Sequence, residues 1–340
     1  MKVQRVEALG YPSLEKQLSY SGIDSWMNVV NIIYDYKIHR FVVLEDSRPL
    51  GALSLVEVKH PVFGHYLVTA PFGSYGGFVF ESNEARDLLL TEASRLAEEL
   101  KVEYVAIRFN DGESVPPANW VQQATYYTYL IDLSPTPDEI LKTFSSDHRN
   151  HVRKSMKKGF TVRFGHLDLL DDIYEALSRS MHELGSPYHS KTYLRTMAEM
   201  LGNTLEFAVL YDPHGKIAGG GVFIVQGDTI FNLHANILRF VRSNYAGEFL
   251  YWSVIERGIQ KGLKTFDLGR SLVGSGNEIF KMKWAPRKKL LAYWHWLAPG
   301  QELPSLNQKN PKFQIAIAVW KRLPAFVVRP LGPYLVSGLA

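Results

Sequence analysis

The chain has 340 residues, of which 46% are hydrophobic, and a formal charge of +4. That length accommodates two domains with a core each, and so mild a charge does not by itself imply nucleic acid. There is no cysteine, which excludes disulfides, thiolate zinc sites and a cysteine nucleophile and suits a cytoplasmic protein.

The N-terminal stretch MKVQRVEALGYPSLEKQ carries charges where a secretory signal needs an apolar run, so export is not expected. From Phe41, FVVLEDSRPLGALSLVEV reads as two strands around a polar turn, and HYLVTAPFGSYGGFVF supplies further strand material around a glycine loop that holds Tyr75. In EARDLLLTEASRLAEELK, Leu89, Ala93, Leu96 and Leu100 recur at helical spacing, and VEYVAIRF reads as the next strand. A joint follows, with a turn at Pro135 and Pro137, a short helix, and a basic helix started by Ser145, Ser146 or Asp147 as N-cap. On that helix Arg149, Arg153 and Lys157 share one face, while Val152 and Met156 form the apolar stripe. Such a face serves either as solvated surface or as an anion clamp, since guanidinium groups suit phosphate.

From Phe207 the first half repeats. FAVLYDPHGKIAGGGVFIV matches the earlier hairpin in its Phe-x-Val-Leu-x-Asp opening, DTIFNLHANIL adds a strand, GEFLYWSVIERGIQKGLK places Leu250, Val254, Ile255 and Ile259 on one face, and TFDLGR closes the unit. Each half therefore reads as an antiparallel meander, a helix, and a strand returning beside the meander. The expectation is an α/β (α+β) protein of two duplicated domains, 1–135 and 136–310. Each should have a mixed sheet flanked by helices, with a cleft between the domains, and the segment 311–340 should pack back on the first.

Residues 266–284, FDLGRSLVGSGNEIFKMKW, form a strand, a glycine turn and a basic aromatic finish. The turn is neither a P-loop nor a dinucleotide fingerprint, because Gly276 is followed by Asn277, Glu278 and Ile279. No metal site is expected: His148 and His151 have helical spacing, but no carboxylate stands at matching distance in the sequence. The apolar tail does not read as a membrane span, because Pro324, Pro330 and Pro333 interrupt it around Arg329. Two roles are open to it, a terminal helix docked on the body and a surface contact with a membrane through Trp320, Lys312, Lys321 and Arg322.

Several of these stretches resemble the FemAB family of acyl and aminoacyl transferases within the wider GNAT-like superfamily. FDLGRS and FKMKW are similar to that family's Phe-Asp-x-Gly-Arg-Ser strand and Phe-Lys-x-x-Trp element, and HRNHVRKSMKKGFTV to its Arg-x-x-Ile-Arg-Lys segment. APFGSYGGFVF resembles a first-domain loop of the family. MHELGSPYHSKTYLRTM and the C-terminal NPKFQIAIAVWKRLP resemble the subgroup linked with exosortase and exopolysaccharide systems. The resemblance implies tandem GNAT-like domains and transfer of an acyl or aminoacyl group to an amine, on a cell-envelope or exopolysaccharide precursor. It implies no tightly bound cofactor, and two donors stay open, a CoA thioester and aminoacyl-tRNA. The implied setting is cytoplasmic, with peripheral contact at the inner membrane through the tail.

On that resemblance Lys281 is the electrostatic group at the reacting carbonyl, with Asp267 beside it as a second catalytic candidate that orients Arg270. Arg149, Arg153, Arg270, Tyr75, Ser271, Gly274, Gly276 and Trp284 are expected to bind an anionic or lipid-linked substrate. Arg239 and Arg242 stand where a CoA motif would be, without its spacing. The alternative is a non-catalytic protein that grips an anionic glycolipid or polysaccharide precursor at the same basic residues.

Overall fold

The computed structural model describes residues 1–123, 125–133, 136–303 and 311–340, with the backbone alone for 311–313. The elements fall into two units. The first contains, in chain order, β1 (Lys2–Val6), α1 (Pro12–Glu15), α2 (Asp24–Tyr34), β2 (Lys37–Glu45), β3 (Arg48–His60), β4 (Gly64–Val68), β5 (Phe78–Phe80), α3 (Asn83–Leu100), β6 (Tyr104–Phe109) and β7 (Val121–Gln123). The second is built from β8 (Tyr126–Asp132), α4 (Pro137–Thr143), α5 (Ser146–Met156), β9 (Thr161–Gly165), α6 (Leu170–Leu184), α7 (Lys191–Leu201), β10 (Leu205–Tyr211), β11 (Ile217–Gln226), β12 (Thr229–Ile237), α8 (Ala246–Gln260), β13 (Thr265–Leu272), α9 (Gly276–Met282) and β14 (Arg287–Leu290). The chain then gives β15 (Ala292–Leu297) to the first unit and α10 (Pro311–Trp320) and α11 (Ala325–Val336) to the second.

The two sheets share one topology. In the first, β2, β3 and β4 form an antiparallel meander, α3 crosses over, and β6 returns parallel to β4. In the second, β10, β11 and β12 form the meander, α8 crosses over, and β13 returns parallel to β12. The hairpin turns differ in chemistry. Asp46 and Ser47 both take positive φ, the geometry that matches strand twist, whereas Asp212 accepts from the amides of His214 and Lys216 at 2.9 Å each. Ser82 caps α3 by accepting from the Ala85 amide, and Leu89, Ala93 and Leu96 of that helix enter the core. On α8, Leu250, Val254 and Ile255 do the same.

The first sheet is completed by a strand from late in the chain, the second by the strand that opens its own unit. The first has the order β1-β2-β3-β4-β6-β15-β7, with β5 on β3, and the second β14-β8-β13-β12-β11-β10-β9. β15 thus lies beside β6, where Trp294 packs edge-on against Phe109 at 4.6 Å and against Phe78. β8 occupies the corresponding place beside β13. The turn expected at Pro135 lies outside the described residues, and Pro137 opens α4.

The C-terminal segment does not return whole to the first domain. Arg329 of α11 pairs with Glu175 of α6, Trp320 Nε1 donates to the Ser186 carbonyl at 3.1 Å, and both helices belong to the second unit. Only Ser337–Ala340 join the first. There Tyr66 Oη donates to the Gly338 carbonyl at 3.0 Å and Arg108 Nη2 to that of Ala340 at 3.1 Å.

Candidate active site

β12 and β13 pair only through Thr229–Thr265, Ile230–Phe266 and Phe231–Asp267, although the strands continue to Ile237 and Leu272. Beyond Phe231 and Asp267 their facing edges part. On β12 the register against β11 slips, with Val222 opposite His234 and Phe223 opposite Asn232, so Leu233 is bulged. A bulge bends the strand and changes which side chains share a face. Asn232 Nδ2 accordingly reaches Tyr251 Oη of α8 at 3.0 Å and the Leu268 carbonyl at 3.4 Å, whereas His234 lies against Tyr188 and His189. On β13, Gly269 takes φ +76, a conformation that costs other residues about 1–2 kcal/mol. Its amide donates to Asp267 Oδ1 at 2.7 Å.

α9 delivers Lys281 to this bend. Lys281 Nζ donates to the carbonyls of Gly269 at 2.8 Å and Arg270 at 2.9 Å and lies over the Tyr129 ring. The side chain belongs to a residue only 7% exposed. Burial pulls its pKa down to about 7, against the attraction of Asp267 and with the repulsion of Arg270. Asp267 is itself buried and accepts from Thr128 Oγ1 at 2.5 Å. It fixes the bend of β13 and supplies the negative charge that faces Lys281.

The glycine turn is the capped start of α9. Ser275 Oγ accepts from the Glu278 amide at 3.2 Å, and Glu278 Oε2 accepts from the Gly274 amide at 2.6 Å, a relative of the capping box. Glu278 Oε1 accepts from Tyr129 Oη and Lys288 Nζ, each at 2.8 Å. Lys288, the Gly274 amide and Tyr129 together hold its carboxyl at about 2. Gly274 needs to be glycine because its φ is +76, whereas Gly276 has no such need, and a Cβ on either meets nothing within 4 Å. Nearby on β13, Ser271 Oγ is buried without a hydrogen-bond partner among the described residues.

Residues 146–282 match the acetyltransferase (GNAT) domain family. FemX has a similar structure, with a TM-score of 0.66 at 13% identity over 93% of this chain and 100% of that one. A tandem GNAT protein from the clavulanic acid biosynthesis pathway gives 0.56 at 12% identity over 88% and 100%. The fold is a tandem GNAT fold. The L-PGS of Bacillus licheniformis is also similar, with a TM-score of 0.55 at 14% identity over 87% of this chain and 92% of that one. No curated protein sequence matches significantly.

Within the matched GNAT domain, Lys281, Asp267, Arg270 and Ser271 gather around the end of β13. Arg239 and Arg242 follow β12 in a short 3-10 helix, Arg239–Asn244. The Arg242 Nε donates to the Ile237 carbonyl at 3.1 Å, and the Arg239 amide donates to Glu183. Arg149 and Arg153 lie on α5 away from its buried residues His148, Val152 and Ser155. Arg149 Nη1 reaches the Lys142 carbonyl at 3.5 Å. The apolar stripe expected through Met156 is corrected: Met156 is exposed, and Ser155 takes the buried position one helical turn from Val152.

Trp284 does not present a surface for substrate, because it is fully buried among Phe144, His148, Tyr251 and Phe280. Tyr75 belongs to the first unit, where Ser21 Oγ donates to its carbonyl at 2.6 Å and Gly76 and Gly77 both take positive φ.

Two sets of residues come together only in the fold. Tyr188, His189 and His234 form a buried polar aromatic cluster against the parted half of β12, and burial lowers His234 to about 4 and His189 well below its ordinary range. The signal was the Tyr-His pair inside SPYHSKTY. The second set corrects the expectation of no carboxylate near His148 and His151, because α8 brings Glu248 to them.

Proposed function

We propose that this protein transfers an acyl or aminoacyl group from an activated donor to an amine, at the gap between β12 and β13. The observation that carries this reading is the end of strand pairing at Phe231 and Asp267 while both strands run on. Edge backbone groups that lack a neighbouring strand can hydrogen-bond a donor carbonyl. A neutral amine held beside that carbonyl reacts with little further help, since positioning and oxyanion stabilisation supply most of the catalysis. Lys281 anchors the bend of β13 through two N–H groups, and burial makes its ammonium easier to deprotonate than an ordinary lysine. Asp267 and Gly269 shape the same bend. Gly274 and Gly276 leave the turn open to close approach by a ligand, and Arg153, Arg239, Arg242 and Arg270 are the cations that take its anionic parts.

The donor is an ester or thioester of CoA or tRNA. The α8 N-terminus lacks the CoA spacing, a feature that supports the aminoacyl-tRNA arm. An envelope acceptor, as in the exosortase-linked subgroup, is supported by the FemX and L-PGS likenesses. A putative lysylphosphatidylglycerol synthetase domain from Agrobacterium fabrum, TM-score 0.54 at 14% identity over 83% of this chain and 88% of that one, points to a lipid-linked acceptor.

No described helix is long and apolar enough to cross a membrane. α10 and α11 nevertheless expose Ile315, Val319, Phe326, Leu331 and Tyr334 near the exposed cations Lys321 and Arg322. An apolar face rimmed by cations suits an anionic lipid surface, and we assign peripheral membrane contact to it.

The test is to incubate the purified chain with acyl-CoAs and with aminoacyl-tRNAs, and to follow donor consumption and acceptor mass. Consumption of one class with formation of an amide supports the reading and selects the donor. Binding of an anionic precursor without consumption of either donor would move the protein to the non-catalytic alternative.

A further inference from the structure

We propose that His148, His151 and Glu248 bind one divalent transition-metal ion, and that Zn²⁺ is the ion their ligand chemistry fits. This does not depend on the acyl-transfer reading. α5 supplies the two histidines one turn apart, and Glu248 stands in the first turn of α8. One ligand atom from each lies within 4.8 Å of the others. Ligands at about 2.0–2.2 Å from a shared Zn²⁺ would sit closer together, so small side-chain rotations close the site.

Three imidazole nitrogens here, two of His148 and the Nδ1 of His151, are buried with no hydrogen-bond partner among the described residues. His148 is 1% exposed, and neither of its ring nitrogens has a hydrogen-bond partner among the described residues. Trp284 and Phe144 wall it at 4.5 and 5.3 Å between ring centres. A buried imidazole left in this way is costly, and a metal bond relieves it.

His151 carries a further mark of a ligand. Its Nε2 lies 3.4 Å from Asp147 Oδ1, while its Nδ1 is buried with no hydrogen-bond partner among the described residues. A carboxylate on one nitrogen fixes the proton there and leaves the other lone pair for a metal. The Tyr245 ring stacks on His151 at 4.6 Å and limits its rotation. Two histidines and a glutamate leave a fourth position for water or a substrate atom. The ion would clamp α5 to the start of α8.

The experiment uses the full, tag-free chain, stripped with a chelator and titrated with ZnCl₂ by calorimetry, with Co²⁺ as a spectroscopic probe. The expected result is one Zn²⁺ per chain and a visible Co²⁺ spectrum of a four-coordinate site. Glu248→Gln and His151→Gln should each weaken binding at least about 10-fold, and His214→Gln, on an exposed turn, should not change it. Asp147→Asn keeps all three ligands and tests the orienting carboxylate, with an expected loss of about 10- to 100-fold. It guards against a ligand variant that fails to fold. Absence of stoichiometric binding by the wild-type chain overturns the proposal, as does wild-type affinity in Glu248→Gln and Asp147→Asn.

Discussion

Lys281 Nζ sits 2.8 Å from the carbonyl of Gly269, at the bend where β13 leaves β12. The lysine is therefore part of what shapes the gap. Lys281→Met should lower turnover by roughly 10²- to 10³-fold, the scale of one lost preorganised donor. It should also cost about 1–3 kcal/mol in stability, because two partly buried carbonyls lose the ammonium that they accept from. Steady-state kinetics and denaturant unfolding on the same preparation separate the two effects.

The same lysine predicts a pH dependence. Its folded pKa, about 7, lies below its ordinary value of 10.5, so between those values the unfolded chain binds more protons and stability rises with pH. Urea midpoints of the wild type should climb relative to Lys281→Met between pH 7 and 10. Glu278 gives a slope of the same sign in an acid window. Its carboxyl, held near 2 against 4.5, contributes stability above pH 4.5 that is lost as pH falls toward 2. Glu278→Gln should flatten that acid limb.

Gly274 and Gly276 look alike in sequence but not in conformation. Gly274→Ala forces a side chain into positive φ and should destabilise the protein by about 1–2 kcal/mol. Gly276→Ala, at the first position of α9 and facing open space, should stay within about 0.5 kcal/mol of wild type. Thermal unfolding of the pair reads the difference directly.

Arg153 is exposed on α5, so reversing its charge tests the clamp without disturbing the core. Arg153→Glu should weaken donor binding, with a smaller salt dependence than wild type because one cation contact is lost. Equal affinity across a salt series would return α5 to plain solvated surface.

Phe326 is 79% exposed and Ile315 66%. Replacing both with Glu should abolish co-sedimentation with anionic vesicles while leaving thermal stability unchanged. Retained binding would place the lipid contact elsewhere.

The duplication was legible because its signals are local. Phe41 and Phe207 open matching hairpins, and the apolar faces of α3 and α8 follow from residue spacing alone. The position of Lys281 at the end of β13 was legible from motif likeness, but its burial was not, since Lys283, Arg287, Lys288 and Lys289 make the region read as surface. Glu248 was invisible beside His148 because only the packing of α8 on α5 joins them. The placement of β15 was equally hidden. AYWHWL is aromatic on both faces, with His295 on one of them, and nothing within it selects β6 as neighbour.

That placement governs the order of assembly. During synthesis the first sheet lacks Trp294 until nearly the whole second unit has been made, so β6 waits as an open edge. Division of the gene at residues 135/136, the boundary that composition suggests, would damage both products. The leading fragment would lose β15, and the trailing one would lose β8, whose Thr128 and Tyr129 hold Asp267 and Glu278. Neither fragment should fold alone, whereas co-expression of the two should restore soluble protein.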